Sequence, residues 1–597
     1  MPGGHKFEKL NYIMELSDIK SPKDIKKLSV PELEDLARQM RDAVLYKTSL
    51  VGGHVGPNLG DVEIMTAMHY VFDAPKDKIV IDVSHQDFPH KMLTGRAYGF
   101  LNQEDFDKIG EYTDPKESPE YDVFYAGHTS PALSLSTGLA KARMLNGDDY
   151  RIIAFVGDGA LSGGEAFEGL DAGATIDGNF ILIFNDNQMA IAPDYGGMYK
   201  HLQDLRETNG TSPNNIFKAF GWDYVYVADG NDMKTCIEAL EKVKDSKRPV
   251  VVHVNTQKGE GYKPAEENRE AWHWQMPYVV ETGLPRQSSD APDYASVTAD
   301  FLLKKCEEIP NLLILSSATP GTFDFGPEAR EKAGKHYMDV AIAEQTGVSV
   351  MAGAARGGAK VVYPIVASFM QRAYDQMIED WAMDNSPATM IVMASGICGI
   401  PDLTHLGFWD IPFVTSIPEI VYLAPTNVEE YKAMLEWSLK QNELKVAVRQ
   451  PTYSFEHADG QVDTDYSDLN KFKIVHKGSR VAIIAAGDFF PKGKEVAKLL
   501  KEKGIDATLI NPRFISGVDT AMLKDLEKDH LLVVTLEDGS LEGGFGQRVA
   551  SALGTSPMQV LNFGLAKRFE DRYNVRDLEE KNSLLPTQIA DKILEIL

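Results

Sequence analysis

The chain holds three cysteines in 597 residues, Cys236, Cys306 and Cys398. Their spacing matches neither a disulfide framework nor a metal knuckle, which fits a reducing cytoplasm. No stretch of about 18 uncharged apolar residues occurs, so no membrane span is expected. The opening Met-Pro-Gly-Gly-His-Lys leads into no apolar core and does not read as a secretory signal. Basic residues are outnumbered, 61 Lys and Arg against 88 Asp and Glu, for a net charge of −27. A chain this acidic is a poor general partner for nucleic acid or an anionic membrane, and an anionic ligand would need locally placed cations. No Gly-x-Gly-x-x-Gly opens a helix after the first strand, which argues against a nicotinamide-binding fold. Short internal repeats and low-complexity tracts are missing too.

What is present is an alternation of apolar runs and helical spacing. Ser29-Val-Pro-Glu32 reads as a capping box opening a helix to about Tyr46. Arg151–Val156, Phe180–Phe184 and Pro249–Val254 read as buried strands, with helical spacing over Gly164–Ala172. Further strands are expected at 312–315, 361–366, 388–393 and 446–449. A third series follows at 481–486, 506–510 and 531–536, with a helix over 492–503 between its first two strands. The segment 275–295, rich in Pro, Gly, Ser and Asp, reads as a linker. The expected architecture is α/β: three successive parallel-sheet domains over 1–285, 290–455 and 470–597.

Two polar clusters end neighbouring strands: Gly157-Asp158-Gly159 and, about thirty residues on, Asn185-Asp186-Asn187. The carboxyl ends of parallel strands are where open α/β sheets bind ligands. An Asp carboxylate, an Asn amide oxygen and a main-chain carbonyl form a hard-oxygen set suited to Mg²⁺ on a diphosphate, and the glycines admit phosphate oxygens. Gly-Asp-Gly alone is also an ordinary turn; the paired strands and the second cluster favour the ligand reading. His54, His85 and His128 lie in Gly- or Ser-containing loops, and His273 follows the first series. Each alone reads as solvated or structural, as do His69 and His90, but four with such a crevice weaken that reading. Glu344, in Val340-Ala-Ile-Ala-Glu-Gln345, is a carboxylate in an apolar run entering a helix. Burial there is costly unless the group is paired or protonated; the alternative is a helix-start residue facing the macrodipole.

These blocks resemble the thiamine diphosphate motif, and over nearly the whole length the chain resembles the 1-deoxy-D-xylulose-5-phosphate synthases of the transketolase superfamily. The likeness rests on Asp82–Gly95, Gly127-His-Thr-Ser130, Gly157-Asp-Gly-Ala160, Asn185-Asp-Asn187, Lys258–Glu266, Asp339–Gln345, Phe369–Gln376 and Thr404-His405. It implies a cytoplasmic homodimer that uses thiamine diphosphate and Mg²⁺ in isoprenoid-precursor and thiamine biosynthesis. The implied reaction on small-molecule substrates is decarboxylative condensation of pyruvate with D-glyceraldehyde 3-phosphate. The metal ligands implied are Asp158, the Asn187 side chain and the main-chain oxygen of Met189. His85, Gly127, His128, Thr129, Gly159, Ala160 and Tyr262 would line the cofactor, with Phe369 stacked on its aminopyrimidine and Glu344 activating it. His54, His273 and His405 would handle protons and substrate oxygens, and Arg372 and Arg449 the acceptor's phosphate end.

The departures from the family pattern gather at the acceptor end. Ala394 stands where the family carries an arginine. Pro401 stands in place of an acidic residue, with Asp402 one place later. Thr346 replaces a histidine and Val366 a tyrosine, and Val55-Gly-Pro-Asn58 replaces a Ser-rich loop. They leave open an alternative, a transketolase-superfamily carboligase or ketol transferase with another donor or acceptor.

Overall fold

The computed structural model describes residues 14–287 and 291–597; the opening hexapeptide and residues 288–290 of the expected linker lie outside this range. The chain divides into two compact units, Met1–Asp290 and Ala291–Leu597. Among the described residues no helix is long and apolar enough to cross a membrane.

The first unit holds strands β1 (Gly53–His54), β2 (Lys78–Ile81), β3 (Ile152–Gly157), β4 (Phe180–Asp186), β5 (Asp223–Val227), β6 (Val250–Asn255) and β7 (Trp274–Gln275). Five form a wholly parallel sheet in the order β2-β3-β4-β6-β5. Its central strands are apolar at nearly every position because helices cover both faces. Ile153, Phe155, Ile181 and Ile183 face one core, and Ile152, Ala154, Val156, Leu182 and Phe184 the other. β1 and β7 pair antiparallel as a separate two-residue ribbon.

The second unit begins with β8 (Leu312–Ser316), β9 (Tyr337–Asp339), β10 (Lys360–Val366), β11 (Thr389–Met393), β12 (Ile420–Leu423) and β13 (Lys445–Arg449). They form a second parallel sheet, ordered β12-β13-β11-β10-β8-β9. Then come β14 (Lys473–His476), β15 (Arg480–Ala485), β16 (Thr508–Asn511), β17 (His530–Ser540) and β18 (Gln559–Leu565) in the order β14-β16-β15-β17-β18. Here the edge strand β14 runs antiparallel to β16, so the third sheet is mixed. One apolar cluster joins Tyr363, Met390 and Tyr422 of the second sheet to Ile484, Ile510 and Val533 of the third. That shared core is why the two sheets form one compact unit.

Two expectations are corrected. The helix opened by Ser29, whose amide donates to Glu32 at 2.6 Å, runs Val30–Val51 and not to Tyr46. Its last turns are held because Lys47, Thr48 and Ser49 are buried. The start of the linker belongs to the first unit. Trp274 and Gln275 pair with His54 and Gly53, Tyr278 is fully buried with its hydroxyl 2.9 Å from Thr48 Oγ1, and Arg286 Nε donates to Ser49 O at 2.7 Å.

At the end of β13 the buried Arg449 donates through Nε to Asp410 (2.7 Å) and through Nη1 to Asp538 at the end of β17 (2.6 Å). Tyr422 Oη adds a bond to Asp410 at 2.5 Å. This joint ties the second sheet to the third. Removing a guanidinium shared by two buried carboxylates costs far more than losing a surface pair. Arg449→Met should lower the free energy of unfolding by about 3–5 kcal/mol, read from urea denaturation of the full chain; a loss under about 1 kcal/mol, the range of exposed pairs, would refute the joint.

Candidate active site

Every residue expected at the diphosphate end follows a strand of the first sheet or sits in a loop beside it. The register sets Gly157 of β3 opposite Asn185 of β4, so the turns after them lie side by side. Asp158 amide donates to Asn185 O at 3.0 Å. Its carboxylate accepts from Gly159 N (2.8 Å) on Oδ1 and from Asn187 N (2.8 Å) and Gln188 N (2.6 Å) on Oδ2. Asn187 Oδ1 accepts from Met189 N at 3.1 Å. Asp158, Asn187 and Met189 are thereby drawn into one turn-to-turn network.

The charge around this network is out of balance. Burial, then Asp194 and Asp186, pushes Asp158 well above the carboxylate range. Burial and Asp186 push Asp194 up to about 7, and its Oδ1 is buried without a hydrogen-bond partner. Asp186 alone is compensated, by Arg206 (2.5 Å) and His253 (2.9 Å). Lys258 lies nearby, donating to Ala190 O at 2.7 Å, and burial pulls it down to about 7. Buried carboxylates crowded together beside glycine turns fit a cation-bound diphosphate. Among the described residues no group of three or more His, Cys, Asp or Glu is placed to hold a metal ion. The oxygen set expected here contains one carboxylate, one amide and one carbonyl.

Three histidines meet in this unit. The ring of His54 lies 5.1 Å from His85 and 5.3 Å from His273, and His85 stacks on His273 at 5.0 Å. The β1–β7 ribbon sets His54 opposite Trp274, next to His273, and any side chain at Gly52 would come within 2.8 Å of Gln275 O. Asn58 clamps the group, donating to His54 O (2.9 Å) and His85 O (2.8 Å) while accepting from Phe88 N. Burial holds His85 and His273 well below the ordinary imidazole value, and Lys258 and the neighbouring rings add to it. The Gly127-His128-Thr129 loop is pinned by Ser130, which donates to Asp82 Oδ1 (2.7 Å) and to Ala160 O (3.0 Å), beside Gly159 and Ala160. The Tyr262 hydroxyl donates to Val280 O and its ring packs edge-on against Trp272.

In the second unit the expected residues also follow strand ends. Glu344 opens the helix Glu344–Arg356 and is 3% exposed. Arg372 Nη1 approaches its Oε2 at 3.4 Å. Burial raises the carboxyl above its ordinary value, and Arg372 pulls part of the way back. Phe369, after β10, stands edge-on to His405 at 5.5 Å. His405 Nδ1 lies 2.9 Å from Thr404 Oγ1 and 3.4 Å from Asp402 Oδ1, so the acid one place past Pro401 orients this ring. Arg449, expected at the acceptor's phosphate, is buried with its guanidinium divided between Asp410 and Asp538. Of the departures, Ala394 holds a left-handed φ of 49° after β11, Val366 is core and Thr346 is exposed. Residues to which the sequence alone assigned no part are Asn58, Asp194 and Lys258; Asn58 and Lys258 lay within quoted blocks, and Asp194 carried no signal.

A group that holds its proton more tightly when folded favours folding at low pH, and that gain is lost as pH rises through its folded value. Glu344 is such a group. Glu344→Gln should therefore raise the Tm of the cofactor-free protein at pH 8, by a margin that narrows toward pH 5. Parallel pH–Tm curves for the two proteins would remove the assigned shift.

Comparison with known proteins follows the same division of the chain. The family model described as 1-deoxy-D-xylulose-5-phosphate synthase matches residues 16–213 and 207–256. The transketolase pyrimidine binding domain matches 290–455 and the transketolase C-terminal domain 470–589. The 1-deoxy-D-xylulose-5-phosphate synthase of Alkaliphilus oremlandii is 33% identical over 98% of both chains. That of Symbiobacterium thermophilum is 33% identical over 98% of this chain and 95% of its own. Among solved structures, a transketolase from Pichia stipitis covers 95% of this chain and 97% of its own, at 15% identity and a TM-score of 0.44. With relatives at this identity over nearly its full length, the chain belongs to the 1-deoxy-D-xylulose-5-phosphate synthase family.

Proposed function

We propose that the chain is a thiamine diphosphate-dependent transferase that joins the two-carbon unit of decarboxylated pyruvate to D-glyceraldehyde 3-phosphate, giving 1-deoxy-D-xylulose 5-phosphate. The observation that carries this reading is Glu344, a buried, proton-favouring carboxyl at a helix start, in a chain whose other unit gathers uncompensated carboxylates beside glycine turns. The cofactor, when bound, supplies a carbon nucleophile and an electron sink for decarboxylation. Asp158, the Asn187 amide and the Met189 carbonyl would hold Mg²⁺ on its diphosphate. Gly127, His128, Thr129, Gly159, Ala160 and His85 would border it, with Tyr262 behind them.

The chain's own contribution is proton handling and positioning. Glu344 holds a proton for the pyrimidine ring nitrogen, a role that its burial-raised proton affinity favours. Phe369 offers an apolar face beside it. His85 and His273, kept neutral by burial, can accept protons from substrate hydroxyls, and His54 and His405 complete the set. Arg372, which also approaches Glu344, would meet the acceptor's phosphate end; Arg449 is held by its carboxylates. A homodimer, a cytoplasmic site and a three-domain division at 1–285, 290–455 and 470–597 belong to the same reading. The alternative acceptor suggested by Ala394 and Pro401 has weaker support, since identity with the synthases runs the length of the chain.

With Mg²⁺ and thiamine diphosphate, the protein should release CO2 from pyruvate at a rate raised strongly by D-glyceraldehyde 3-phosphate. Glu344→Ala should abolish it, and Asp158→Ala should lose Mg²⁺-dependent cofactor binding by calorimetry. Release of CO2 at background rates, with cofactor bound, would shift the reading to another donor or acceptor.

A further inference from the structure

His54 differs from the two rings beside it in having a carboxylate partner. Its Nδ1 lies 2.5 Å from Glu111 Oε2, with the His54 and Glu111 side chains 12% and 34% exposed. Glu111 reaches it from a stretch with no helical or strand periodicity, 57 residues along the chain. Two features make the approach possible. Gly53 has a φ of 134°, and a β-carbon there would stand 3.4 Å from Glu111 Oε1, so the carboxylate lies directly over this glycine.

The loop bearing Glu111 is fixed from both sides by buried lysines. Lys47 Nζ donates to Ile109 O at 2.9 Å. Lys91 Nζ donates to Gly110 O (3.0 Å), Tyr112 O (2.6 Å) and Glu117 (3.0 Å). Glu117 in turn accepts from Gly110 N at 2.7 Å. Thus the carbonyls of the residue before Glu111, the one before that and the one after are all tied down, and the side chain is delivered in one place. The arrangement is anchored further by a buried chain running His69, His90, Asp122 and Arg96.

We infer that Glu111 is a positioning residue for His54, accepting the Nδ1 proton and so fixing the tautomer in which Nε2 is the atom offered to substrate. The inference rests on the reading that His54 serves the carboligation site. The groups facing the dyad are His85, His273 and Tyr112 around the ring, Lys258 beyond His273, and Lys47 beside the carboxylate. Among the described residues neither of the other two rings has an acid in contact, His273 Nδ1 facing the Lys258 ammonium at 3.0 Å, so of the three His54 is the one given an anionic acceptor. A carboxylate behind an imidazole holds orientation and stabilises positive charge as the ring takes a proton. Despite its burial, Glu111 is kept below the ordinary glutamate value by His54, so the acceptor stays ionised at neutral pH.

The test uses the full chain with Mg²⁺ and thiamine diphosphate. In ¹⁵N-histidine spectra of the wild type, with His54→Gln to assign the signal, the His54 ring should report a proton fixed on Nδ1. Glu111→Gln should lose that signature, and Glu111→Asp should recover part of it. The kcat for CO2 release should fall about tenfold or more in E111Q, the low end of general acid–base effects, with the KM for pyruvate little changed. In a His54→Ala background, E111Q should bring no further loss. The inference is overturned if E111Q leaves the His54 ring spectrum unchanged, or if its loss of kcat is as large without His54 as with it. A wild type that releases no CO2 from pyruvate and D-glyceraldehyde 3-phosphate defeats the activity reading instead, and the ring spectra still decide the dyad.

Discussion

Parallel strands end together, and much of the molecule follows from that constraint. A parallel sheet buried on both faces must place its chemistry beyond the carboxyl ends, where the backbone leaves the sheet and polar side chains can be gathered. In the first unit β3, β4 and β6 deliver Asp158, Asn187 and Lys258 to one such edge. In the second, β10 leads into Phe369, β11 into Ala394 and β13 into Arg449. The apolar cores fix the height of these ends, and the turns then need only local hydrogen bonds to aim their side chains.

Buried charge is used in two ways. At the Arg449 joint two carboxylates share one guanidinium and a tyrosine hydroxyl through direct hydrogen bonds, and the contact binds sheet to sheet. Around Asp158 and Asp194 the carboxylates outnumber the nearby cation, and Lys258 is itself weakened as an acid partner by burial. Glu344 sits between these cases, with one arginine at the limit of contact. Direct ion pairing marks the joint, whereas crowded carboxylates beside glycine turns mark the expected ligand end.

Much of this was legible in the sequence. Continuous apolar runs marked the central strands, because burial on both faces removes alternation, and the polar clusters after them marked the ligand edge. Glu344 stood out because a carboxylate in an apolar run needs a reason. What stayed hidden depends on tertiary distance. Arg449 reads the same whether it faces a phosphate or two carboxylates from remote elements. Glu111 carries no local signal, since its partner is 57 residues away and its loop is shaped by lysines from two other elements. Edge elements such as β14 and the short β9 are too brief for periodicity. The segment after Trp274 has a linker's composition, yet Tyr278 gives it a core residue.

The β1–β7 ribbon sets a limit on how this chain can be cut. The family match to the first unit stops at residue 256, after the last strand of the main sheet, and a fragment ending there keeps that whole sheet. It would still lack the two residues that pair with Gly53 and His54, the ring of His273, and the aromatic pair of Trp272 and Tyr278 that closes the core beneath them. The working boundary of the first unit therefore lies past Arg286, thirty residues beyond the end of the family match, because residues 272–286 back the ribbon and the rings that Gly53 and His54 begin.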